Sequence, residues 1–192
     1  MAAVARLRGD VFVDELMNYT ILKSPVGELV IAADREALRF VLFQTGKMAA
    51  PARPEWEEKN SGIVKETACQ LDAYFERKLR NFDLPLGPQG TGFQERVWRE
   101  LVNIGYGATI SYGALASRIG NPAASRAVGL ANGRNPIPII IPCHRVIGAS
   151  GKLTGYGGGL PVKRHLLAIE GSQAELGLPV DLGFLASRNS RK

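Results

Sequence analysis

Asn135-Pro136-Ile137-Pro138-Ile139-Ile140-Ile141-Pro142-Cys143-His144-Arg145-Val146-Ile147-Gly148 is the stretch whose reading decides the fold. Three consecutive isoleucines, β-branched and apolar, predict a short buried strand. Pro142 ends that strand and constrains the chain that follows. A thiol and an imidazole therefore fall side by side where a buried element stops. A cysteine is a useful nucleophile only as its thiolate, and a neighbouring base or cation generates one near neutral pH. His144 is placed to be the base and Arg145 the cation. Taken alone, such a pair is more often a structural cysteine beside a partly exposed histidine. The surrounding residues change that balance.

Composition narrows the field. At 192 residues the chain allows one large domain or two small ones. Its 45% hydrophobic content is ordinary for a globular protein. Two cysteines, Cys69 and Cys143, argue against a disulfide framework, and with only His144 and His165 a metal site is not expected. The first 17 residues lack the apolar core of a secretory signal, because Asp10, Asp14 and Glu15 interrupt it. No apolar run approaches the roughly 20 residues that span a bilayer. A reducing, cytoplasmic setting is the expectation.

Charge is spread unevenly. Residues 1–90 carry 12 Lys+Arg against 13 Asp+Glu, a net of −1, and residues 91–192 carry 12 against 5, a net of +7. From residue 101 to 169 there is no acidic residue, while Arg118, Arg126, Arg134, Arg145, Lys152, Lys163 and Arg164 all fall there. One-signed charge over a domain-sized interval points to a polyanionic partner. A surface that is merely soluble usually intersperses both signs.

In chain order, residues 1–17 read as a loose leader. Tyr19 to Lys23, Glu28 to Ala33 and Ala37 to Phe43 read as short strands, the first two joined by a Ser24-Pro25-Val26-Gly27 turn. Met48 to Asn60, with Pro51 and Pro54, reads as loop. Ser61 is expected to cap a helix to about Lys78 whose buried face is Val64, Ala68, Leu71, Phe75 and Leu79. Cys69 falls on the charged side of that helix and is read as incidental. Asn81 to Gly92, rich in Gly and Pro, coincides with the change of charge and marks the domain boundary. The expected division is 1–90, 91–171 and a tail over 172–192.

Thr91 or Gly92 opens a helix whose apolar face is Phe93, Val97, Trp98 and Leu101. Ser111 caps a second, Tyr112 to Ile119. Gly120-Asn121-Pro122 turns the chain into a third, Ala123 to about Gly133. The last two form a helix-turn-helix candidate. In the last helix Ala124, Ala127, Val128 and Ala131 are expected to face inward, and Ser125, Arg126, Gly129, Asn132 and Gly133 outward. A mid-helix glycine costs roughly 1 kcal/mol against alanine. An outward face of small residues with one arginine suits close approach to a nucleic-acid groove. Tight packing against a neighbouring helix would also need small residues; the basic stretch tips the reading toward nucleic acid.

Ser150 to Gly159 is a glycine-dense loop able to line a pocket. No Gly-Lys-Ser/Thr follows it, so it is not a phosphate loop. Pro161 starts a last helix, Val162 to Glu170, closed by Gly171. A carboxylate is badly placed at a helix C-terminus, so Glu170 needs a compensating partner, and His144 is a candidate.

Pro142-Cys143-His144-Arg145, the Gly155-Tyr156-Gly157-Gly158-Gly159 loop and the helix with Arg126 together resemble the O6-alkylguanine-DNA alkyltransferase family. The similarity is dense from Gly92 to Gly171, and Ser24-Pro25-Val26-Gly27-Glu28-Leu29 resembles that family's more variable first domain. The resemblance implies an α+β fold. A small N-terminal domain with a short antiparallel sheet and a helix precedes a mostly helical domain containing the helix-turn-helix and the active-site strand.

By the same resemblance the protein is a direct-reversal DNA repair methyltransferase. Cys143 takes an alkyl group irreversibly from O6 of guanine, and from O4 of thymine, in double-stranded DNA, once per molecule. His144 is the base, acting through a water, and Glu170 holds it. Asn135 fixes the turn before the active site. Tyr112 lies by the phosphate of the flipped nucleotide and protonates the departing guanine. Arg126 fills the gap in the stack, with Ser125, Gly129, Asn132 and Gly133 along the minor groove. Val146, Tyr156, Gly157 and Gly158 line the base pocket. No cofactor, metal or membrane is implied, and the protein is expected to act as a monomer, nucleoid-associated in a prokaryote. The zinc site of some members is not expected, and Gly157, where some members carry serine or arginine, leaves pocket size open. Two further classes remain: a small Cys-His hydrolase, which would turn over repeatedly, and a non-catalytic helix-turn-helix binder of damaged DNA, whose known types lack the cysteine.

Overall fold

A computed structural model describes residues 17–171. The 172–192 tail, and the leader apart from its last residue, lie outside them. The first half is built on a hairpin. β1 (Asn18–Ser24) and β2 (Gly27–Ala33) pair antiparallel from Asn18↔Ala33 to Ser24↔Gly27. Gly27 has φ +98°, a conformation that glycine adopts without strain, and Ser24 Oγ donates to its carbonyl at 2.6 Å. β3 (Leu38–Phe43) joins β2 antiparallel.

A two-residue strand, β4 (Glu57–Glu58), pairs parallel with β1, giving the order β3-β2-β1-β4. This strand falls inside the stretch expected to be loop. Its two glutamates are exposed and carry no strand signal of their own.

β2 is buried on both faces. Leu29, Ile31 and Ala33 join the main core, while Val30 and Ala32 pack with Trp56 in a second, smaller cluster. Successive strand side chains alternate between faces, so one strand serves both. Trp56 is held by the Phe40 ring at 5.4 Å, nearly parallel, with the Arg53 guanidinium over both rings.

α1 (Gly62–Phe75) lies against the sheet and is shorter than expected. Its buried residues are Val64, Thr67, Leu71 and Tyr74, so Tyr74 takes the inward position assigned to Phe75. Ser61 occupies the cap position without a side-chain cap bond. The helix stops because Arg77 turns left-handed at φ +62°. The Lys78 and Arg77 N–H groups then close back on the Ala73 and Tyr74 carbonyls.

The second half opens with α2 (Gly92–Val102), where expected; a reciprocal cap starts it: Thr91 Oγ1 accepts from the Gln94 N–H and Gln94 Oε1 from the Thr91 N–H. Val97, Trp98 and Leu101 are buried, and Trp98 Nε1 donates to the Ala131 carbonyl at 2.8 Å. β5 (Ile110–Ser111) leads into α3 (Tyr112–Arg118), where the Ser111 hydroxyl accepts from the Ala114 N–H. A short 3-10 turn at Pro122–Ala124 precedes α4 (Ser125–Gly133), completing the helix-turn-helix pair. β6 (Val146–Ile147) pairs parallel with β5, and α5 (Leu160–Ile169) closes the described chain.

The halves share one core, in which Leu38, Val41, Phe43 and Tyr74 meet Trp98, Ile137, Ile141 and Leu166. One backbone bond of β3 also crosses between them, and a second ties β3 to the linking segment. Leu38 N–H donates to Pro85 O at 2.8 Å and Val41 N–H to Pro136 O at 2.9 Å, so the open edge of β3 is covered. The architecture is α+β, as expected. Among the described residues, no helix is long and apolar enough to cross a membrane. Thr91→Ala removes the acceptor that starts α2 and should lower stability by about 1 kcal/mol, read as a shift in urea midpoint at unchanged m-value. An unchanged midpoint would show that the cap contributes nothing.

Candidate active site

The isoleucine run is not a strand. The Ile141 N–H donates to the Ile137 carbonyl at 2.9 Å, closing a buried turn, and Pro138 pairs with Ile141 as an isolated bridge. Ile139 sits at φ +76° although it is β-branched and fully buried. Such a residue is a genuine backbone outlier, held only where its surroundings over-determine it. Asn135 braces the turn from inside: its amide Nδ2 donates to Ile141 O at 2.8 Å and its Oδ1 accepts from the Ile137 N–H at 3.0 Å. Hydrophobic periodicity cannot tell a buried turn from a buried strand.

Cys143–Arg145 forms one 3-10 turn, not the end of a strand. Cys143 is 4% exposed and borders a cavity of about 220 Å³. Burial pushes its thiol up; the Asn135 amide, the Lys163 ammonium and the Tyr156 hydroxyl pull the other way without overcoming it. His144 is fully buried, and burial holds its imidazole below the usual histidine range despite Glu170, so it is neutral near pH 7. Its Nε2 lies 3.0 Å from Glu170 Oε1, and its Nδ1 has no hydrogen-bond partner among the described residues. Glu170 is ionised and can only accept, so the proton sits on Nε2 and Nδ1 presents its lone pair.

Glu170 is the hub. Its Oε1 accepts from His144, from Tyr74 Oη at 2.9 Å and from Arg145 Nη2 at 2.9 Å. Its Oε2 accepts from Arg145 Nε at 2.9 Å and from the Gly107 N–H at 3.2 Å. Burial alone would raise the carboxyl; the hydrogen bonds from His144 and Arg145 outweigh it and hold it at about 2. Burial, with Glu170 beside it, pushes the Tyr74 hydroxyl far above its ordinary value, so it stays a donor. The expected His144–Glu170 contact is present.

Arg145 is not the cation that faces the thiol. It is spent on Glu170 and on the Ile104 carbonyl. Lys163 takes that place: its fully buried Nζ donates to Val146 O at 2.6 Å and to Thr154 O at 3.1 Å. Burial brings it down to about 8, against the opposing pull of the thiolate, so most of it is charged at pH 7. The spacing of Lys163 with Leu166, Leu167 and Glu170 is the sequence signal for it: a lysine on the buried stripe of α5.

The remaining expected residues divide. Tyr112 is half-buried, accepts from Thr154 Oγ1 at 3.1 Å and lies against Gly129, whose missing Cβ would stand 3.7 Å from its ring. That is ordinary contact, so the protein's own packing does not require the glycine. Nothing lies within 4 Å of a Cβ built on Gly133, and Arg126 is exposed. Gly129 thus meets the first residue of α3 at ordinary contact distance, while Gly133 faces open space. Ser125 is partly exposed beside them.

Asn132 is a correction. It is buried, not outward, and its Nδ2 donates to the Cys143 carbonyl at 3.3 Å. Ala127, expected inward, is exposed, while Val128 and Ala131 are buried as expected. Tyr156 and Gly157 line the cavity; Val146 is fully buried outside its lining, and a Cβ on Gly158 would stand 3.2 Å from the Phe43 ring. Phe40 to Phe43 and Met48 also line the cavity, which no local signal announced. Among the described residues no group of side chains could hold a metal ion.

A helix-turn-helix half that carries a buried cysteine, a neutral histidine and an ionised glutamate, closed by a small sheet domain, defines a recognisable class. Residues 92–172 match the family described as 6-O-methylguanine DNA methyltransferase, DNA binding domain, and residues 17–88 match its ribonuclease-like domain. The chain belongs to that family. A methylated-DNA--protein-cysteine methyltransferase of Methanosarcina acetivorans is 53% identical over 156 residues, 81% of this chain and 99% of that one. One from Mycobacterium tuberculosis is 50% identical over 169 residues, 87% and 98% of the two chains. The crystal structure of the Mycobacterium tuberculosis O6-methylguanine methyltransferase superposes with a TM-score of 0.75 at 48% identity, covering 87% of this chain and 98% of that one. A structure of the same enzyme in complex with DNA gives 0.74 at 49%, covering 81% and 94%.

The linked charges make stability pH-dependent in a defined direction. Glu170 titrates at about 2 when folded against 4.5 unperturbed, so its contribution is complete above about pH 4.5 and is lost as pH falls toward 2. The depressed His144 adds a loss in the same direction below its unfolded value of 6.5. Glu170→Gln leaves the Arg145 guanidinium without its carboxylate and should destabilise by about 3–5 kcal/mol at pH 7. The gap between wild type and variant should narrow between pH 4.5 and 3, read by denaturant midpoints. A gap that stays constant would mean the carboxylate is not the group held ionised.

Proposed function

We propose that this protein repairs DNA by direct reversal, taking an alkyl group from O6 of guanine onto Cys143. The observation that carries the reading is the cavity beside Cys143, with a neutral His144 whose unpartnered Nδ1 is free to take a proton and whose other nitrogen is tied to an ionised Glu170. The family and the names of the relatives support the same chemistry.

The step balances without a cofactor. The Cys143 thiol gives its proton to His144 through a water. Its sulfur attacks the alkyl carbon, the C–S bond forms as the C–O6 bond breaks, and the purine leaves with the electron pair. Tyr112 Oη protonates the departing guanine. Burial favours the neutral thiol and the neutral imidazole at rest, so proton transfer accompanies attack and does not precede it. Lys163 and Tyr156 offset the charge that develops on sulfur. The thioether has no route back to thiol, so each molecule acts once, as a monomer.

A base inside a duplex hides its O6, so the lesion must leave the stack at a cost of a few kcal/mol. The exposed outward face of α4 supplies the surface for this: Gly129 and Gly133 let the backbone approach a minor groove, Ser125 flanks it, and Arg126 fills the vacated position. O4 of thymine offers the same alkyl–oxygen geometry and is the second substrate. The setting is the DNA-containing cytoplasm. Repeated turnover would instead indicate the Cys-His hydrolase, whose oxyanion hole has no motif here.

Incubation with a duplex containing O6-methylguanine should add one methyl mass to the peptide bearing Cys143, with one equivalent transferred per protein. Cys143→Ser should abolish transfer and keep DNA binding, because the groove helix is separate from the nucleophile. More than one turnover per molecule would overturn the reading. Arg126→Ala should slow transfer from duplex DNA far more than from the free modified base, which needs no flipping, and Arg126→Lys should rescue little, since ammonium lacks a planar surface. Equal loss on both substrates would remove Arg126 from the flipping role.

A further inference from the structure

Gly157 leaves the cavity without the side chain that would close its rim at that position. The N-terminal half fills the space. Met48 lines the same cavity as Cys143, and its Sδ stands 3.3 Å from where a Cβ on residue 157 would lie. Its backbone is anchored there, since the Met48 N–H donates to the Gly157 carbonyl at 3.2 Å. Two residues earlier the approach is closer still. Gly46 has φ +92°, and a Cβ on it would stand 2.8 Å from Gly158 C and 2.9 Å from Gly157 O. No side chain fits between these two backbones. The segment carrying Met48 is thus registered against the glycine loop, while the side chain itself stays about half exposed at the cavity mouth.

Resting on the alkyl-transfer reading above, we propose that Met48 is the specificity-determining wall for the O6 substituent, and that the class it selects is larger, apolar groups up to an aromatic ring. A methyl group on the reacting oxygen ends close to the sulfur of Cys143. A larger group must extend along the cavity, and Met48 is an apolar wall supplied by the N-terminal half. An unbranched thioether with three rotatable bonds conforms to varied shapes, and sulfur makes favourable contacts with ring edges. Phe43, in T-shaped contact with Tyr156 at 5.7 Å, backs the same side of the cavity.

The test uses the full-length protein with two free bases, guanine carrying methyl or benzyl at O6. Second-order rate constants for Cys143 alkylation are read by intact mass for wild type, Met48→Ala and Met48→Leu. The readout is the benzyl-to-methyl ratio. Removing the wall should lower that ratio about 5–10-fold, the size expected from losing a few tens of Å² of apolar contact. Leucine, of similar volume, should restore it to within about 2-fold of wild type. A ratio unchanged or raised in Met48→Ala overturns the proposal, because a merely structural role would slow both bases alike. A wild-type protein that accepts methyl and rejects benzyl overturns it too. Failure of wild type on both bases and on modified duplex would instead overturn the alkyl-transfer reading, and the proposal with it.

Discussion

The Glu170 carboxylate, taken out of water at the end of α5, is the constraint on which the rest depends. A buried ion is tolerable only when its lone pairs are fully engaged. Here the donors come from separate parts of the chain: Tyr74 from α1, Gly107 from the loop after α2, and His144 with Arg145 from the turn that begins at Cys143. Satisfying one charge therefore fixes where three segments lie relative to α5. It also sets the histidine's orientation and tautomer. The same demand consumes Arg145, so the charge facing the sulfur comes from Lys163, which has no carboxylate partner among the described residues.

The sheet domain is joined to the site by more than proximity. Tyr74 reaches the carboxylate, the β3 edge bonds to the loop before the isoleucine turn, and Gly46 lies backbone-to-backbone on the glycine loop. Each contact would be lost if either half moved by a few ångströms. The cavity thus takes its Cys143 side from one half and part of its wall from the other, on a single apolar core.

What was legible in the sequence is what local chemistry dictates. Thr91 starts α2 and Ser111 starts α3, because caps act within four residues. The turn at Gly27 places the hairpin, and Glu170 was marked by being a carboxylate at the wrong end of a helix. What was not legible depends on partners distant in sequence. The isoleucine run carries the burial of a strand, but Asn135 folds it into a turn. Asn132 looked like a groove residue until the Cys143 carbonyl claimed it. Tyr74 displaced Phe75 inward because its hydroxyl has a buried acceptor 96 residues away. β4 exists only because β1 offers it an edge.

Ile139 bears on how the surroundings of Cys143 are held. Its left-handed backbone is unfavourable for a β-branched residue by about 1–3 kcal/mol in isolation. The turn that ends two residues before Cys143 is therefore held by its surroundings: Ile139 is fully buried in the apolar core and Asn135 braces the turn from inside. The arrangement of Asn135, Lys163 and Tyr156 around the sulfur is consequently a property of the completed fold. An unfolded chain has none of these neighbours around Cys143, so the environment that tunes its sulfur is supplied by tertiary contacts and not by the local sequence.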